Sequence, residues 1–186
     1  MMVTIEIAQS EDDIRGIKSL NVKNLPGAIS IEEKLSQGFV TCPYTVEDLT
    51  EMNSPHPHIV AKDHNSNVVG YCLIMLNRHS EIMPVLLPMF ELISEFDVQG
   101  EAISNITYFT MGQMCVDKAH RSSGVFHRMY DYLRERMQAS YDIVVTEISA
   151  LNKRSLRAHE KQGFKVLQQY EAPDGHPWVV VYWDWR

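Results

Sequence analysis

The stretch from residue 105 to residue 149 limits the possible folds most. Asn105 to Val116 is extended in character, and Asp142 to Ser149 is a second extended run rich in Ile and Val. Between them Val125, Met129, Leu133 and Met137 recur every four residues, which predicts a helix from about Ser123 to Ser140 with one buried face. Gly112 lies inside the first run, where a glycine signals a bulge or a close backbone approach. Strand, short turn, helix and strand at this spacing predict a mixed α/β (α+β) domain. With 186 residues, 45% hydrophobic and 22% charged, the chain is long enough to bury a sizeable core and has an ordinary globular balance.

The flanking sequence adds elements of both kinds. Residues 3–8 alternate as a strand, and Ser10 then caps a helix whose first turn is Glu11-Asp12-Asp13. That helix ends at Asn24-Leu25-Pro26-Gly27. A second short helix spans Ile31 to Gln37 and stops at Gly38, and Phe39-Val40-Thr41 reads as a short extended piece. Thr45 opens a third helix with a capping box. His58 to Lys62 and Val68 to Asn77 read as a hairpin turned at Asp63–Asn67. Met83 to Phe96 reads as a helix interrupted by prolines. Asn152 to Gln162 is a helix capped by Asn152 and closed by Gly163, and the strands Phe164–Glu171 and Trp178–Trp185 follow, turned at Ala172–Gly175. No repeat or linker divides the chain, so a single domain over 1–186 is expected.

Several classes of partner are disfavoured. The N-terminus alternates and soon turns acidic, unlike a secretory signal. The longest apolar run, Ile82 to Ile93, is interrupted by Pro84, Pro88 and Glu91 and falls short of the roughly 20 residues of a membrane span. It reads as a lid over a substrate cleft, a homodimer surface or ordinary core. Cys42, Cys72 and Cys115 form no CxxC pair, which fits a reducing compartment and a cytoplasmic location. His56-Pro57-His58 has no second pair at ligand spacing, so no metal is expected. A net charge of −7 disfavours nucleic acid. Residues 118–165, however, hold ten Lys and Arg against five Asp and Glu, a local +5 that leaves −12 for the remainder. A basic segment in an acidic chain predicts either an anionic ligand held in one place or a solvated basic helix face.

The turn Asp117–Gly124 is where such an anion would sit. A helix start presents unpaired N–H groups and partial positive charge, and Ser122, Ser123 and Gly124 are small enough to admit a pyrophosphate. Arg121 adds a charged, forked donor. The run Arg121-Ser122-Ser123-Gly124-Val125-Phe126 resembles the acyl-coenzyme A turn of the GNAT N-acetyltransferase superfamily, Q/R-x-x-G-x-G/A, with Phe126 in place of the final small residue. A second signature of that superfamily, N-x-x-A-x-x-x-Y-x-x-x-G-F, is matched by Asn152, Ser155, Gly163 and Phe164, with His159 where Tyr is usual.

The resemblance implies the GNAT fold: a mixed, mostly antiparallel central sheet of about seven strands, flanked by helices, whose fourth and fifth strands splay apart. It implies that acetyl-CoA or another acyl-CoA binds along Met114, Cys115 and Val116, over Arg121–Phe126, and near Asn152 and Ser155. It also implies direct transfer of the acyl group to a primary amine of a small molecule or peptide. The alternative is an acyl-CoA-sensing module of the same fold with weak or lost catalysis. By the resemblance His159 stands near the sulfur as a candidate acid, with packing beside Ser155 as its structural alternative. Asn152 would bond the pantetheine amides, or serve as a plain helix cap. Gln113 is well placed but does not titrate, so His79 and Glu81, after the third strand, are the candidate bases. Cys115 is a candidate acyl acceptor or a small buried strand residue, and direct transfer needs no such intermediate.

Overall fold

The computed structural model describes residues 3–81 and 87–186. Seven strands form the main sheet in the order β1 (Thr4–Ile7), β2 (Ile59–Lys62), β3 (Val68–Met75), β6 (Tyr108–Val116), β7 (Ile143–Ser149), β9 (Pro177–Asp184), β8 (Lys165–Glu171). A separate two-stranded hairpin, β4 (Asp97–Val98) with β5 (Glu101–Ala102), lies outside it. All main-sheet neighbours are antiparallel except β6 and β7. That parallel pair follows from the α5 (Val125–Met137) crossover between its two strands.

The sheet is buried on both faces. On one face Ile14, Ile17 and Leu20 of α1 (Glu11–Lys23) and Leu49 and Met52 of α3 (Val46–Met52) pack over β3, in one cluster with Tyr71, Leu73, Ile143 and Val145. Ile93 of α4 (Leu87–Ser94) joins the same cluster. On the other face the four-residue stripe of α5 packs over β2 and β3, in one cluster with Ile59, Cys72, Val144 and Ile148, with Leu156 of α6 (Lys153–Gln162) at its edge. The helix α2 (Ile31–Gln37) buries none of its residues and lies at the rim.

Sequence expectations and structure differ in a few places. Ser10 caps α1 as expected, there through a capping box with Asp13, and Thr45 makes its expected capping box with Asp48. Phe39–Thr41 is not a strand; its Phe39 carbonyl accepts from Asn152 Nδ2 and its Val40 N–H donates to the Asn24 carbonyl. The strand expected from Asn105 begins at Tyr108, after a 3₁₀ turn at Ile103–Asn105. The proline-interrupted helix is present from Leu87 to Ser94; Met83 to Leu86 lie outside the described residues. Among the described residues no helix is long and apolar enough to cross a membrane.

Gly112 does mark a bulge. Leu73 of β3 faces Gln113 and Ile74 faces Met111, so residue 112 is the extra one. A Cβ there would meet Met75 Cε at 3.1 Å.

His58 ties the two layers together. It is fully buried, its Nε2–H donates to the Leu49 carbonyl (3.1 Å), and its Nδ1 accepts from the Ile74 N–H (3.2 Å). Burial pushes its pKa down to about 4. His159, on the opposite face, is likewise pushed down to about 4 by burial. Both histidines bind a proton more readily in the unfolded chain, at about 6.5. Their stabilising contribution is therefore complete above pH 6.5 and is lost as pH falls from there toward 4. Glu147, raised by burial to about 7, opposes this trend, gaining stability as pH falls from about 7 toward 4.5. Two histidines against one carboxyl should leave a net loss. Urea unfolding at pH 7.5 and 5.0 is expected to show lower stability at pH 5.0, and His58→Leu should flatten that difference while lowering stability at both.

Candidate active site at the β6–β7 fork

The parallel register between β6 and β7 covers only Tyr108, Phe109 and Thr110 against Ile143, Val144 and Val145. Beyond it the strands part. The last tie is a side chain, Thr146 Oγ1, which donates to the Met111 carbonyl at 2.8 Å in the buried interior. Past that point β6 remains paired with β3 and β7 with β9, so each strand is held from its outer side while the fork stays open.

A cleft of about 500 Å³ fills the outer part of the fork. Its walls include Met114, Cys115 and Val116 of β6, the turn residues Arg121, Ser122, Gly124 and Phe126, and Asn152 and Ser155 at the start of α6. Nine of the eleven residues expected to hold the cofactor thus line one cleft. The exceptions are Ser123, whose hydroxyl donates to the His120 carbonyl (2.6 Å), and Val125, the first residue of α5, whose side chain is buried in the core.

The cleft suits a polyanion. Arg121, Lys153, Arg154, Arg157 and Lys161 line it, and among the described residues no carboxylate does. The N-cap of α5 is Gly124 in the left-handed region (φ 81°), without a side-chain cap, so the first N–H groups of a 13-residue helix are left free. Ser122 also adopts a positive φ of 61°, which curls the turn around those N–H groups. His120, only 11% exposed at its side chain, has both ring nitrogens without a hydrogen-bond partner. The cleft therefore fits the phosphates of coenzyme A.

Arg121 behaves differently from a simple phosphate contact. Its Nε donates to the Val116 carbonyl (2.9 Å), one terminal nitrogen to Asn24 Oδ1 (2.6 Å) and the other to the Gln37 carbonyl (3.4 Å). On the far rim Asn152 Nδ2 donates to the Phe39 carbonyl (2.9 Å), while its Oδ1 caps α6 by accepting from Ser155 N–H (3.2 Å). Residues 37–40 are consequently strapped across the fork from both sides. Gly38, at φ 79°, permits this crossing, since a Cβ there would stand 2.6 Å from Asn152 Oδ1.

Behind the strap lies a smaller cavity of about 50 Å³. Its lining includes Gly112, Gln113, Thr146, Glu147, Ser149 and Trp178. Phe39, Val40, Met114, Asn152 and Ser155 border both spaces. Glu147 is the residue that sequence reasoning missed. It shares the β7 face of Ile143 and Val145, and burial raises its carboxyl to about 7 despite the hydrogen bond it accepts from Tyr170. The only sequence signal was an acidic residue inside an otherwise apolar Ile/Val strand.

The expected catalytic residues fare unevenly. His159 borders the small cavity, but both its nitrogens are engaged. Nδ1 lies 2.8 Å from the Ser155 carbonyl, which can only accept, so Nδ1 carries the proton. Nε2 accordingly accepts from the Tyr130 hydroxyl at 2.7 Å. The ring sits among Phe126, Tyr130 and Phe164, with centroids 5.0–5.4 Å away. A neutral, enclosed imidazole with no proton to spare is a poor acid. His79 lines neither cavity; it is buried in the turn Asn77–Glu81, its Nδ1 accepting from Leu76 N–H. The reason is topological: β3 ends beside Thr110, at the closed end of the fork. Glu81 closes the same turn, and its side chain lies outside the described residues. Gln113 accepts from Tyr71 (2.5 Å) and Asn21 (2.8 Å) and donates to the Cys42 carbonyl (3.2 Å), which fixes the bulged strand against α1. Burial pushes the Cys115 thiol up to about 12, so it stays protonated and is not a nucleophile.

Comparison with known proteins agrees with this geometry. The profile of the acetyltransferase (GNAT) family matches residues 29–164. A search of curated proteins by sequence finds no match. Among solved structures, a chain of the NatC complex bound to Gag peptide and CoA is similar over 100% of both chains, with a TM-score of 0.68 and 14% identity. The phosphinothricin acetyltransferase from Sinorhizobium meliloti in complex with AcCoA covers 99% of this chain and 89% of its own, with a TM-score of 0.64 and 15% identity. The ribosomal-protein-S18-alanine N-acetyltransferase from Escherichia coli covers 98% and 94%, with a TM-score of 0.63 and 10% identity.

The Arg121 clamp can be tested directly. Arg121→Lys keeps the charge but loses the fork that reaches three acceptors on two segments. It is expected to cost about 1–3 kcal/mol. Limited proteolysis should then cleave faster after Lys34 and Phe39 than in the parent protein.

Proposed function

The chain belongs to the GNAT acetyltransferase family, and from that premise we propose that it is an active acetyl-CoA-dependent N-acetyltransferase that uses Glu147 as its general base. The observation that carries this is the pairing of two unlike spaces at one fork. One is a cationic cleft, and the other a small chamber whose single carboxyl has a pKa of about 7. A base poised near neutral pH is half in its working form there and still has the affinity to take a proton.

In this scheme the phosphates lie on the free N–H groups of α5 and the basic side chains of α6. The pantetheine arm follows Met114–Val116 into the fork. Strap residues 37–40 move aside at Phe39, freeing the Asn152 amide for the arm. The acceptor enters from the α1/α3 face as a primary ammonium and gives a proton to Glu147, directly or through one water. The neutral amine then attacks the thioester carbonyl: the C–N bond forms, the nitrogen gives its second proton to water, the C–S bond breaks, and the electron pair leaves on sulfur. Holding both reactants in the fork supplies most of the acceleration. Tyr170 keeps Glu147 in place, and its own phenol, held above its usual range by burial and by that carboxylate, stays protonated.

The acceptor is an amine of a small molecule or peptide. The sensing alternative is separated by experiment. Acetyl-CoA at about 100 times its dissociation constant should stabilise the protein by roughly 2.7 kcal/mol. Thiol release should follow with at least one amine among lysine, spermidine and short peptides with free N-termini. Stabilisation without thiol release would select the sensor. For the active enzyme, kcat/KM should rise with pH through a limb near 7. Glu147→Gln should lower it about 100-fold to 10,000-fold and abolish that limb. A Glu147→Gln variant that retained the limb would assign the base elsewhere.

A further inference from the structure

The geometry points to Ser155 as a catalytic hydrogen-bond donor to the departing sulfur, with His159 as the residue that positions it. The assignment rests on the acetyl-CoA chemistry proposed above. It adds a group that meets the leaving thiolate from the side opposite to Glu147.

Five residues border both the cofactor cleft and the acceptor chamber: Phe39, Val40, Met114, Asn152 and Ser155. A thioester passed from one space to the other must cross this border. Only Asn152 and Ser155 bring polar side chains to it; Asn152 Oδ1 caps α6, and its Nδ2, on the strap carbonyl here, is assigned to the pantetheine arm in the scheme above. Ser155 therefore brings the one hydroxyl among these five residues. Its helix packs on the α5 face of the sheet, through Leu156, whereas Glu147 lies on the α1/α3 face. Amine deprotonation and thiolate departure thus take place on opposite sides of the fork.

The orientation of that hydroxyl follows from its neighbour. His159 Nδ1 must be protonated, because it faces the Ser155 carbonyl at 2.8 Å, and the same N–H lies 3.3 Å from Ser155 Oγ. The hydroxyl oxygen is therefore the acceptor in that contact, and its own hydrogen turns away from the imidazole. Tyr130 holds the ring in this tautomer by donating to Nε2 at 2.7 Å. Tyr130, His159 and Ser155 form a directed chain that ends in a free O–H at the border.

Ser155 stabilises charge and keeps its proton. To give the proton up it would need replacement from His159, and His159 from Tyr130, which would leave a phenolate fully buried. Burial holds the Tyr130 phenol well above its usual range, which closes that route. The thiolate leaves as an anion carrying the C–S electron pair, accepts the Ser155 hydrogen bond, and takes its proton from solvent. The first proton lost by the amine leaves through Glu147, and the second passes from the tetrahedral nitrogen to water. A preorganised donor aimed at developing charge in a water-poor site strengthens as the bond breaks.

The test is a titration of the protein saturated with coenzyme A, which needs no acceptor. Thiolate absorbance near 240 nm is followed against pH, with the unliganded protein subtracted. Burial keeps the protein's own Cys115 and Cys72 thiols far above the range titrated. If Ser155 donates to sulfur, the acid dissociation constant of the bound thiol should fall about tenfold in Ser155→Ala and recover in Ser155→Thr. His159→Phe should shift it the same way by less. With an accepted amine, Ser155→Ala should lower kcat about 10-fold to 100-fold with little change in coenzyme A affinity. An identical thiol titration in Ser155→Ala and the parent protein would overturn the assignment, whether or not an acceptor is turned over. If the parent binds coenzyme A and shows the Ser155 effect without transferring acetyl to any amine, the transferase activity fails and the sulfur contact stands.

Discussion

Everything at the site depends on how little of β6 is paired with β7. Three residue pairs hold the only parallel neighbours of the main sheet together. A longer ladder would close the fork, and a shorter one would leave the sheet in two halves. Strands that part in a sheet interior expose backbone groups, and each unmet N–H or C=O costs free energy. The chain limits that cost locally. Thr146 covers the first free carbonyl of β6 with its hydroxyl. The Gly112 bulge shifts the register on the β3 side, so β6 bends away from β7 without losing its outer partner. The remaining backbone of β6, Met114–Val116, lines the cleft, and Asn152 and Arg121 hold the strap beside it.

The fork also separates charge. Five Lys and Arg side chains and an uncapped helix start surround the outer cleft, while a single carboxyl stands in the inner chamber. In a chain of net charge −7 these positive groups are gathered on the turn before α5 and along α6, within residues 118–165. Glu147 sits near neutrality for a local reason. Burial raises it, and Tyr170 lowers it only in part.

Local chemistry was legible in the sequence and long-range partners were not. The phosphate turn, the α5 stripe, the Gly112 bulge and the Asn152 cap are each written in a few consecutive residues. Their physics is local, and the structure places them as their residue types imply. Phe39–Thr41 looked extended because its residues suit a strand, but the Phe39 carbonyl is taken by Asn152 and the preceding Gln37 carbonyl by Arg121, both far away in sequence. His79 looked like a base because it follows β3, and the direction in which β3 runs carries it to the closed end of the fork. His159 looked like an acid because of its position in a motif. Its tautomer is set by the Ser155 carbonyl one turn back, and its other nitrogen is occupied by Tyr130, 29 residues earlier on another helix, a pairing that no spacing rule reveals.

The exchange of residues at 126 and 159 belongs to one packing problem. The resemblance leads one to expect a small residue at 126 and a tyrosine at 159, and this chain has Phe126 and His159. The two rings meet edge-on at 5.2 Å, within a cluster that also holds Tyr130 and Phe164. A larger ring at 126 fills volume near the start of α5, so the residue opposite on α6 must be smaller or turned inward. A tyrosine at 159 would carry its hydroxyl on a longer side chain than histidine does. With Phe126 in place, a shorter imidazole fits, and Tyr130 supplies the phenol from the other helix to satisfy it. Interiors this dense change by compensating pairs, since a single enlargement forces neighbours off their preferred rotamers. The functional consequence is that the group at 159 has been drawn into the core. In the proposed scheme a polar contact to the sulfur from α6 comes from one turn earlier on the same face, where residue 155 borders both cavities.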